Sequence, residues 1–393
     1  MTQQFFAPCP RGLEAILAEE LRALGAQDVE AVDGGAHMRG GFDLCYAVNL
    51  NSRIASRVLW QVAAGDYRTE DDVYRAAYAL DWQRWFGPEL TIRVNVAAIR
   101  CPLKSLDFVT LRIKDAVCDR LRELTGQRPN VDTRAPDVRI HAFLDARRIT
   151  LYLDTSGEPL FKRATRVSRT EAPLRDNLAA GILRLAAWRP GIALLDPMCG
   201  SGTFLAEAAR IALDWAPGLD RTFAFERLRN FDAGAWRTIK TAAEARRKPV
   251  AQLPVWGSDL SGTALDLARA NLQAAGLDRA VLLKQANVLE MSAPAPSGIL
   301  VTNPPYGVRI GDESELAEFY PRLGNVLKQK FSGWNCYILT ADLRLAKLIR
   351  LSASKRTPLF NGALECRLFE YKVISGSMRR DKPAPPLRGG GGA

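Results

Sequence analysis

Histidine is scarce in this chain of 393 residues, which contains only His37 and His141. Neither lies beside an evident nucleophile in the sequence, so chemistry built on a histidine base or a histidine triad is disfavoured. The seven cysteines are odd in number, scattered, and form no Cys-x-x-Cys pair. This pattern argues against a disulfide framework, a zinc site or an iron–sulfur cluster, and we expect no bound metal.

Long apolar runs are also missing. None approaches the length of a membrane-spanning helix, and no basic start leads into an apolar signal segment. We therefore expect a cytoplasmic protein without a membrane partner. Hydrophobic residues make up 47% of the chain, enough for a sizeable core, and the length suits two or three domains.

Positive charge is in excess and unevenly placed. The formal net charge is +11. Residues 1–80 carry 7 basic against 11 acidic side chains, whereas residues 90–170 carry 16 against 9 and residues 341–393 carry 11 against 4. Basic excess concentrated in the middle and at the end of a chain favours a polyanionic partner that crosses more than one domain.

One stretch near the end carries a specific chemical signal. The apolar and β-branched residues 299–302 predict a buried strand, which Pro304 and Pro305 must end because proline cannot donate to a sheet ladder. Asn303 then lies at the carboxyl end of the strand, where open α/β sheets bind ligands. Its side-chain oxygen and the Pro304 carbonyl can accept both hydrogens of one planar amino group, and Tyr306 offers a flat ring for stacking. A plain strand-to-loop turn with a packed tyrosine is the alternative.

A glycine-rich loop lies earlier, between the apolar strand 192–195 and a helix that begins near residue 205. Strand, glycine loop and helix in that order suit a nucleotide-like ligand, because glycines allow close backbone approach and the helix start offers free amide donors. The Lys-Ser/Thr pair of a phosphate loop is absent, which disfavours ATP hydrolysis. A small side chain that fits the loop explains its cysteine better than a catalytic thiol does. The predicted cofactor-binding loop residues are Asp196, Pro197, Met198, Cys199, Gly200, Gly202, Thr203 and Phe204.

Two further strands end on polar residues. Asp259 ends strand 255–259, and its carboxylate can accept both hydroxyls of a ribose; an N-cap for the helix that starts at Ser261 is the alternative. Asn287 ends the next predicted strand, 281–287. We expect Leu260 and Val288, which follow these two polar residues, to contact the cofactor as well.

The two motifs resemble known ones. Asn303-Pro304-Pro305-Tyr306 is similar to the motif of class I methyltransferases that methylate amino or amide nitrogens, and the loop from Asp196 to Phe204 resembles the Asp-Pro-x-x-Gly-Ser-Gly-Thr-Phe loop of S-adenosylmethionine enzymes. The resemblance implies that Asn303, Pro304, Pro305 and Tyr306 are catalytic, with Asn303 also near the cofactor S-adenosylmethionine. The family usually has Asp in place of Asn287, which implies a retuned contact to the adenine amine.

A third set of motifs precedes them. Residues 126–132, 136–141 and 153–160 resemble the closing half of the THUMP domain, an RNA-binding module found next to methyltransferase domains. Just after it, the family's Lys/Arg-Arg-Gly-Tyr-Arg becomes Lys162-Arg163-Ala164-Thr165-Arg166. The charges survive, and we expect RNA phosphate contacts from this region and from the loop after Asn303. The predicted RNA-binding residues are Lys162, Arg163, Arg166, Arg169 and Arg309.

These features predict an α/β fold: a Rossmann-like class I methyltransferase sheet with a terminal antiparallel hairpin, preceded by an α+β ferredoxin-like and THUMP region. The expected domains are 1–65 (ferredoxin-like), 66–157 (THUMP) and 158–378 (methyltransferase), with a disordered basic tail at 379–393. Apolar spacing predicts helices over 44–59 and 108–124, and Asn361-Gly362 predicts a hairpin turn. Residues 215–254 resemble a family insertion, for which the sequence gives no role.

The resemblance is greatest to bacterial enzymes that form N2-methylguanosine in 23S ribosomal RNA. It implies an RNA guanine-N2-methyltransferase whose partner is ribosomal RNA or a ribosome assembly intermediate. Three alternatives stay open: a guanine-N2-methyltransferase of transfer RNA, a DNA adenine methyltransferase, and a non-catalytic RNA-binding protein with a decayed methyltransferase domain. The departures at Ala164, Thr165 and Asn287 favour decay, whereas the intact loops at Asp196 and Asn303 argue against it.

Overall fold

A computed structural model describes residues 2–163, 174–304 and 313–373. Two seven-stranded sheets organise these residues, one in each half of the chain. One hydrophobic core cluster contains residues of both halves, from Phe5 to Leu368. No helix in the described ranges is long and apolar enough to cross a membrane. The predicted tail 379–393 lies outside the described residues.

The first sheet has the strand order β2-β3-β1-β4-β7-β6-β5. One of its faces is buried, because Phe5 and Ala7 of β1 and the even residues of β6 are apolar and lie on the same side of their strands. Its elements are β1 (Gln3–Pro8), α1 (Glu14–Ala23), β2 (Gln27–Val32), β3 (Gly35–Gly40), α2 (Phe42–Asn51), β4 (Leu59–Asp66), α3 (Glu70–Tyr78), β5 (Ile92–Ala98), α4 (Leu106–Thr125), β6 (Val138–Leu144) and β7 (Arg148–Asp154).

Strand β4 joins the two predicted N-terminal units into this one sheet. It pairs antiparallel with β1, where Phe5 opposes Trp60, and with β7, where Trp60 opposes Leu153. The ferredoxin-like and THUMP regions therefore share continuous backbone hydrogen bonding.

The predicted helix over 44–59 is wrong in its second half. Helix α2 ends at Asn51, and Ser52 is extended. The Glu20 carboxylate accepts from the Ser52 hydroxyl at 2.5 Å and from the Arg53 amide at 2.9 Å, which replaces the helical hydrogen bonds there. Ile54 and Val58 are fully buried in the connection to β4, so their helical spacing reflects burial and not a helix.

The long helix predicted over 108–124 is confirmed by α4. The Ser105 hydroxyl accepts from the Phe108 amide at 3.2 Å and caps its start. Gly126 ends it with φ of +76°, a conformation that residues with a Cβ rarely adopt.

The second sheet has the order β10-β9-β8-β11-β12-β14-β13. Its first five strands are parallel and its last two form an antiparallel hairpin, which confirms the predicted methyltransferase fold. Its elements are α5 (Asp176–Leu185), β8 (Leu194–Asp196), α6 (Thr203–Ala212), α7 (Ala233–Arg246), β9 (Val255–Asp259), α8 (Gly262–Ala274), β10 (Leu282–Gln285), β11 (Gly298–Thr302), α9 (Glu313–Lys330), β12 (Trp334–Thr340), α10 (Leu345–Leu348), β13 (Lys355–Asn361) and β14 (Leu364–Lys372).

The insertion at 215–254 attaches the methyltransferase half to the first sheet's helices. Phe225 and Trp236 lie against the Tyr46 ring of α2, with ring centroids 4.6 Å and 6.1 Å away. The Phe225 amide donates to the Thr155 carbonyl at 3.0 Å, just after β7. The sequence assigned no role to this segment; in the structure it holds the two halves together.

Candidate active site

The candidate active site lies where the direction of winding of the second sheet reverses. Strands β8 and β11 are parallel neighbours, with Leu194 opposite Ile299 and Leu195 opposite Leu300. From β8 the chain winds through β9 and β10 to one side, and from β11 it continues to β12 on the other. Asp196 and Asn303 thus lie at adjacent strand ends, in the crevice where doubly wound sheets bind ligands.

The loop after β8 is held by backbone and carboxylate contacts. The Cys199 amide donates to the Ser258 carbonyl at 2.8 Å, and the Gly200 amide donates to Asp259 Oδ2 at 2.9 Å. Gly200 has φ of +51°, and a Cβ there would meet no atom within 4 Å. The loop backbone therefore presents an open side, as close approach to a ligand requires.

The end of the loop is packed tightly against α8. Gly202 has φ of +78°, and a Cβ there would lie 3.3 Å from the Ala268 Cβ. Helix α6 starts at Thr203, so its first amides point along the loop. Phe204 and Cys199 are buried; the Phe204 ring packs in the core behind the loop, and burial raises the pKa of the Cys199 thiol, which favours its neutral form.

Asp196 is a buried carboxyl without a cationic partner among the described residues. Its pKa is raised to about 7, chiefly by burial and to a smaller extent by the negative charge of Asp259, while the Thr302 hydroxyl and the Met198 amide oppose the shift. A cation bound beside Asp196 would restore its ionised form. The positively charged amino group of an amino-acid moiety is such a cation.

Asp259 orders the loop and the start of α8 at once. Its Oδ1 accepts from the Ser261 amide at 3.0 Å. Ser261 itself caps α8, because its hydroxyl accepts from the Ala264 amide at 3.3 Å. The N-cap is therefore Ser261, and the predicted ribose contact of Asp259 stays a prediction. Leu260 is 66% exposed next to it, an apolar surface that a flat ring could cover.

Asn287 follows β10 and begins a turn. Its Oδ1 accepts from the Leu289 amide at 3.0 Å, so one lone pair of the predicted adenine acceptor is already used. Val288 is buried.

Asn303 carries an acceptor that is buried and without a hydrogen-bond partner among the described residues, its Oδ1. A buried acceptor left in this state costs about 1–3 kcal/mol, and such groups in native structures call for a ligand or a functional explanation. Pro304 is buried beside it. Pro305 and Tyr306 lie outside the described residues.

The prediction that Arg163 binds RNA is wrong. It is 6% exposed, and its guanidinium donates to Glu207 at 3.0 Å and to the Leu160 carbonyl at 2.6 Å. This buried pairing leaves it unavailable to phosphate. Lys162 is exposed and pairs with Glu158 at 2.7 Å. Arg166, Arg169 and Arg309 lie outside the described residues.

Two residues of the site were missed. The Ser258 hydroxyl donates to the Pro197 carbonyl at 3.3 Å, and Asn271 of α8 donates to the Ser201 carbonyl at 3.1 Å. The polar Ser258 within an otherwise apolar strand was the available signal for the first; no motif indicated the second. Within the described ranges, no three His, Cys, Asp or Glu side chains come together as metal ligands.

Comparison with known proteins identifies the domains. Residues 163–370 match the RMKL-like methyltransferase domain, residues 67–154 the THUMP domain and residues 4–59 the RlmL ferredoxin-like domain. The ribosomal RNA large subunit methyltransferase K/L of Syntrophotalea carbinolica is 40% identical over 98% of this chain, which spans 56% of that relative. A Synechocystis sp. protein provisionally named an RNA methyltransferase is 37% identical, over 95% of this chain and 97% of that protein.

Solved structures agree. The SMU.472 protein, provisionally called a methyltransferase and crystallised with S-adenosylhomocysteine, is 30% identical with a TM-score of 0.84, over 96% of this chain and 99% of that one. A possible methylase from Clostridium difficile 630 is 27% identical with a TM-score of 0.87, over 96% and 100%. The chain therefore belongs to the family of RMKL-like methyltransferases, and S-adenosylmethionine is its methyl donor.

Proposed function

We propose that the chain methylates the exocyclic N2 amine of a guanosine in 23S ribosomal RNA. The observation that carries the proposal is the buried Oδ1 of Asn303, which has no hydrogen-bond partner among the described residues and is an acceptor suited to an amino hydrogen. The names of the K/L relatives support ribosomal RNA as the acceptor, and the THUMP match supports RNA binding. The chain spans 56% of the Syntrophotalea relative, so the activity of that whole protein is carried over as a proposal only.

The residues that would hold the cofactor fit it chemically. Asp196 would pair with the amino group of its methionine moiety, the loop Pro197–Phe204 would follow its backbone, and Asp259 would accept the ribose hydroxyls. When bound, S-adenosylmethionine supplies an electrophilic methyl group on its sulfonium. Leu260, Asn287 and Val288 would contact the adenine.

Asn303 would then orient the acceptor. Its Oδ1 and the Pro304 carbonyl would accept the two hydrogens of the guanine amine, which turns the nitrogen lone pair toward the cofactor side. The same two acceptors stabilise the positive charge that develops on the nitrogen. Tyr306 would stack on the base after it leaves its helix. No strong base is required, and most of the rate would come from alignment.

The proposed partner is ribosomal RNA or a ribosome assembly intermediate, and the proposed location is the cytoplasm, where these substrates are made. Transfer RNA is the competing acceptor from the sequence. Among solved structures, TrmN of Thermus thermophilus shares the fold with a TM-score of 0.70, but at 22% identity this likeness extends to the fold alone.

Nucleoside mass spectrometry tests the proposal. Purified protein and S-adenosylmethionine carrying a deuterated methyl group are incubated separately with 23S rRNA transcript and with transfer RNA transcripts. We expect labelled N2-methylguanosine from the 23S transcript alone. Label in the transfer RNA pool would move the function to that substrate, and label in N6-methyladenosine or no label in either pool would contradict it.

A further inference from the structure

A second surface outside the active site has the chemistry of an anion site. It is a cleft of about 730 Å³ between the end of the THUMP region and the insertion. Two segments far apart in sequence contribute cations to it: the residues after β7 contribute Lys162, and the insertion contributes Arg221 and, on α7, Lys240. Its carboxylates are Glu158 and Asp220.

Arg221 is the most constrained of the three cations. Its two terminal nitrogens donate to the Pro159 and Glu158 carbonyls, and its guanidinium lies 5.3 Å from the centre of the Phe223 ring. Its Nε is buried without a hydrogen-bond partner among the described residues. Burial is the main cause that lowers its pKa to about 10, and the positive charge of Arg163 is the second. Both disfavour the charged form of the Arg221 guanidinium.

Lys240 has no ion pair or hydrogen bond with any described residue. Its place on α7 is fixed, because Trp236, one turn earlier, is buried against Tyr46. A cation held at a fixed backbone position and left unpaired can bind an anion without first breaking a contact within the protein.

The acidic residues of the cleft cancel only part of this charge. Glu158 is paired with Lys162 at 2.7 Å and with Arg139 at 3.1 Å, and Asp220 has no ion pair within the described residues to Arg221 or Lys240. Arg163, which also lines the cleft, is balanced by Glu207 on its other side. The cleft therefore has an excess of positive charge at the junction of the two halves.

We propose that this cleft, lined by Lys162, Arg221 and Lys240, binds a backbone phosphate of the substrate RNA. The inference rests on the proposed function for the identity of the polyanion. A phosphate contact here would fix the position of the RNA across the junction without reading its sequence. It gives the insertion a second role besides holding the two halves together.

Salt-dependent RNA binding tests the cleft. Affinity for 23S rRNA transcript is measured by filter binding across a range of potassium chloride concentrations, for the full chain and for Lys240→Gln, Lys162→Gln and the double variant. Each lost phosphate contact lowers the slope of log affinity against log salt by about 1. We expect about fivefold weaker binding for Lys240→Gln and a slope change near 1 for the double variant, because the lysines of the cleft share one phosphate.

Lys248→Gln is the matched control, because this exposed lysine lies in the same insertion but does not line the cleft. It should keep the slope of the unaltered chain. Calorimetry with S-adenosylmethionine on every variant checks that the fold is kept. Arg221→Lys, which retains the charge, should weaken binding less than Arg221→Gln.

An unchanged slope in the double variant would overturn the proposal, as would an unaltered chain without affinity for the transcript. A loss of affinity seen only with assembled ribosomal particles would overturn it too, in favour of an acidic protein partner. Failure of the proposed function can be told apart from failure of the cleft proposal, because methyl transfer is measured on the same samples. Salt-dependent binding through the cleft without formation of N2-methylguanosine would contradict the proposed function but support the phosphate site.

Discussion

Two buried carboxyl groups lie on helix α6 and just before its loop, and they differ in whether a cationic side chain pairs with them. Glu207 on α6 lies at the junction with the first sheet, where Arg163 and Arg53 approach it at 3.0 Å and 3.6 Å. Although burial raises its pKa, these guanidiniums lower it below the ordinary value. Asp196, before the same helix, has no such partner among the described residues, and burial raises its pKa to about 7.

The difference separates structure from function. At the junction the protein supplies its own counter-charges, so the carboxylate is permanently ionised. At the end of β8 the described residues supply none, so we expect a bound cation to complete the charge of Asp196. Asn303 follows the same rule with its unpartnered oxygen. Asp196 and Asn303 lie at the ends of neighbouring parallel strands, at the switch point of the second sheet.

Removing the internal counter-charge should produce the largest effect. Glu207→Gln leaves Arg163 and Arg53 buried without a carboxylate, and breaking a buried pair in this way costs about 3–5 kcal/mol. We expect that loss in the free energy of unfolding, measured by urea denaturation. Glu244→Gln on the exposed face of α7 is the control and should be neutral. Equal stability of the two variants would show that the Glu207 ion pairs do not stabilise the fold, and Glu207 would then not differ from Asp196 in this respect.

On the pocket side, Asn303→Ala should reduce methyl transfer about 100-fold to 1,000-fold, the usual effect of deleting one group that stabilises developing charge. Cofactor affinity, measured by calorimetry, should stay within about threefold. Asn303→Asp keeps the acceptor oxygen and replaces the donor NH2 group by a second acceptor, so it is the informative partner variant. Full activity of the alanine variant would show that Asn303 is a turn residue.

The pH dependence of Asp196 comes next. Because its folded pKa is raised to about 7, the folded state holds a proton that the unfolded state loses near pH 4. This contribution to stability is therefore lost as pH rises from about 4 to about 7, and stays lost above that. Without cofactor, Asp196→Asn should be more stable than the unaltered chain at pH 8 and similar at pH 4. Thermal melting at both values measures this.

Cofactor binding should run the other way. A cationic ligand favours ionised Asp196, so affinity should rise with pH up to about 7 and binding should release a proton near neutrality. Calorimetry in buffers of different ionisation enthalpy counts that proton. Asp196→Asn should bind weakly and release none; proton release by this variant would assign the titration to another group.

The smallest effect is expected at the loop thiol. Cys199→Ala should change the rate of methyl transfer less than about threefold, because the raised thiol pKa and burial indicate packing. Cys118→Ala in α4, far from the site in sequence and equally buried, is the comparison. Loss of activity in Cys199→Ala but not in Cys118→Ala would indicate that the Cys199 thiol takes part in catalysis.

Local patterns predicted the parts of the molecule that depend on local physics. Glycines, strand ends and the Asn361-Gly362 turn correctly predicted the loop between β8 and α6, the end of strand β11 before Asn303, and the terminal hairpin. The errors came from contacts distant in sequence. The partner of Arg163 is 44 residues away, and the insertion packs against Tyr46, whose hydroxyl accepts from an amide 186 residues later. The charge and apolarity of residues in a sequence do not predict which residues distant in sequence will contact each other.

Strand β4 has a consequence for how this chain can be divided. It falls between the ferredoxin-like match, which ends at residue 59, and the THUMP match, which begins at residue 67. A fragment cut on either side would expose an unpaired strand edge, at β7 or at β4, with Trp60 uncovered. Such edges pair with other chains. The two modules that families treat as separate are thus a single folding unit, and each half alone is prone to aggregation.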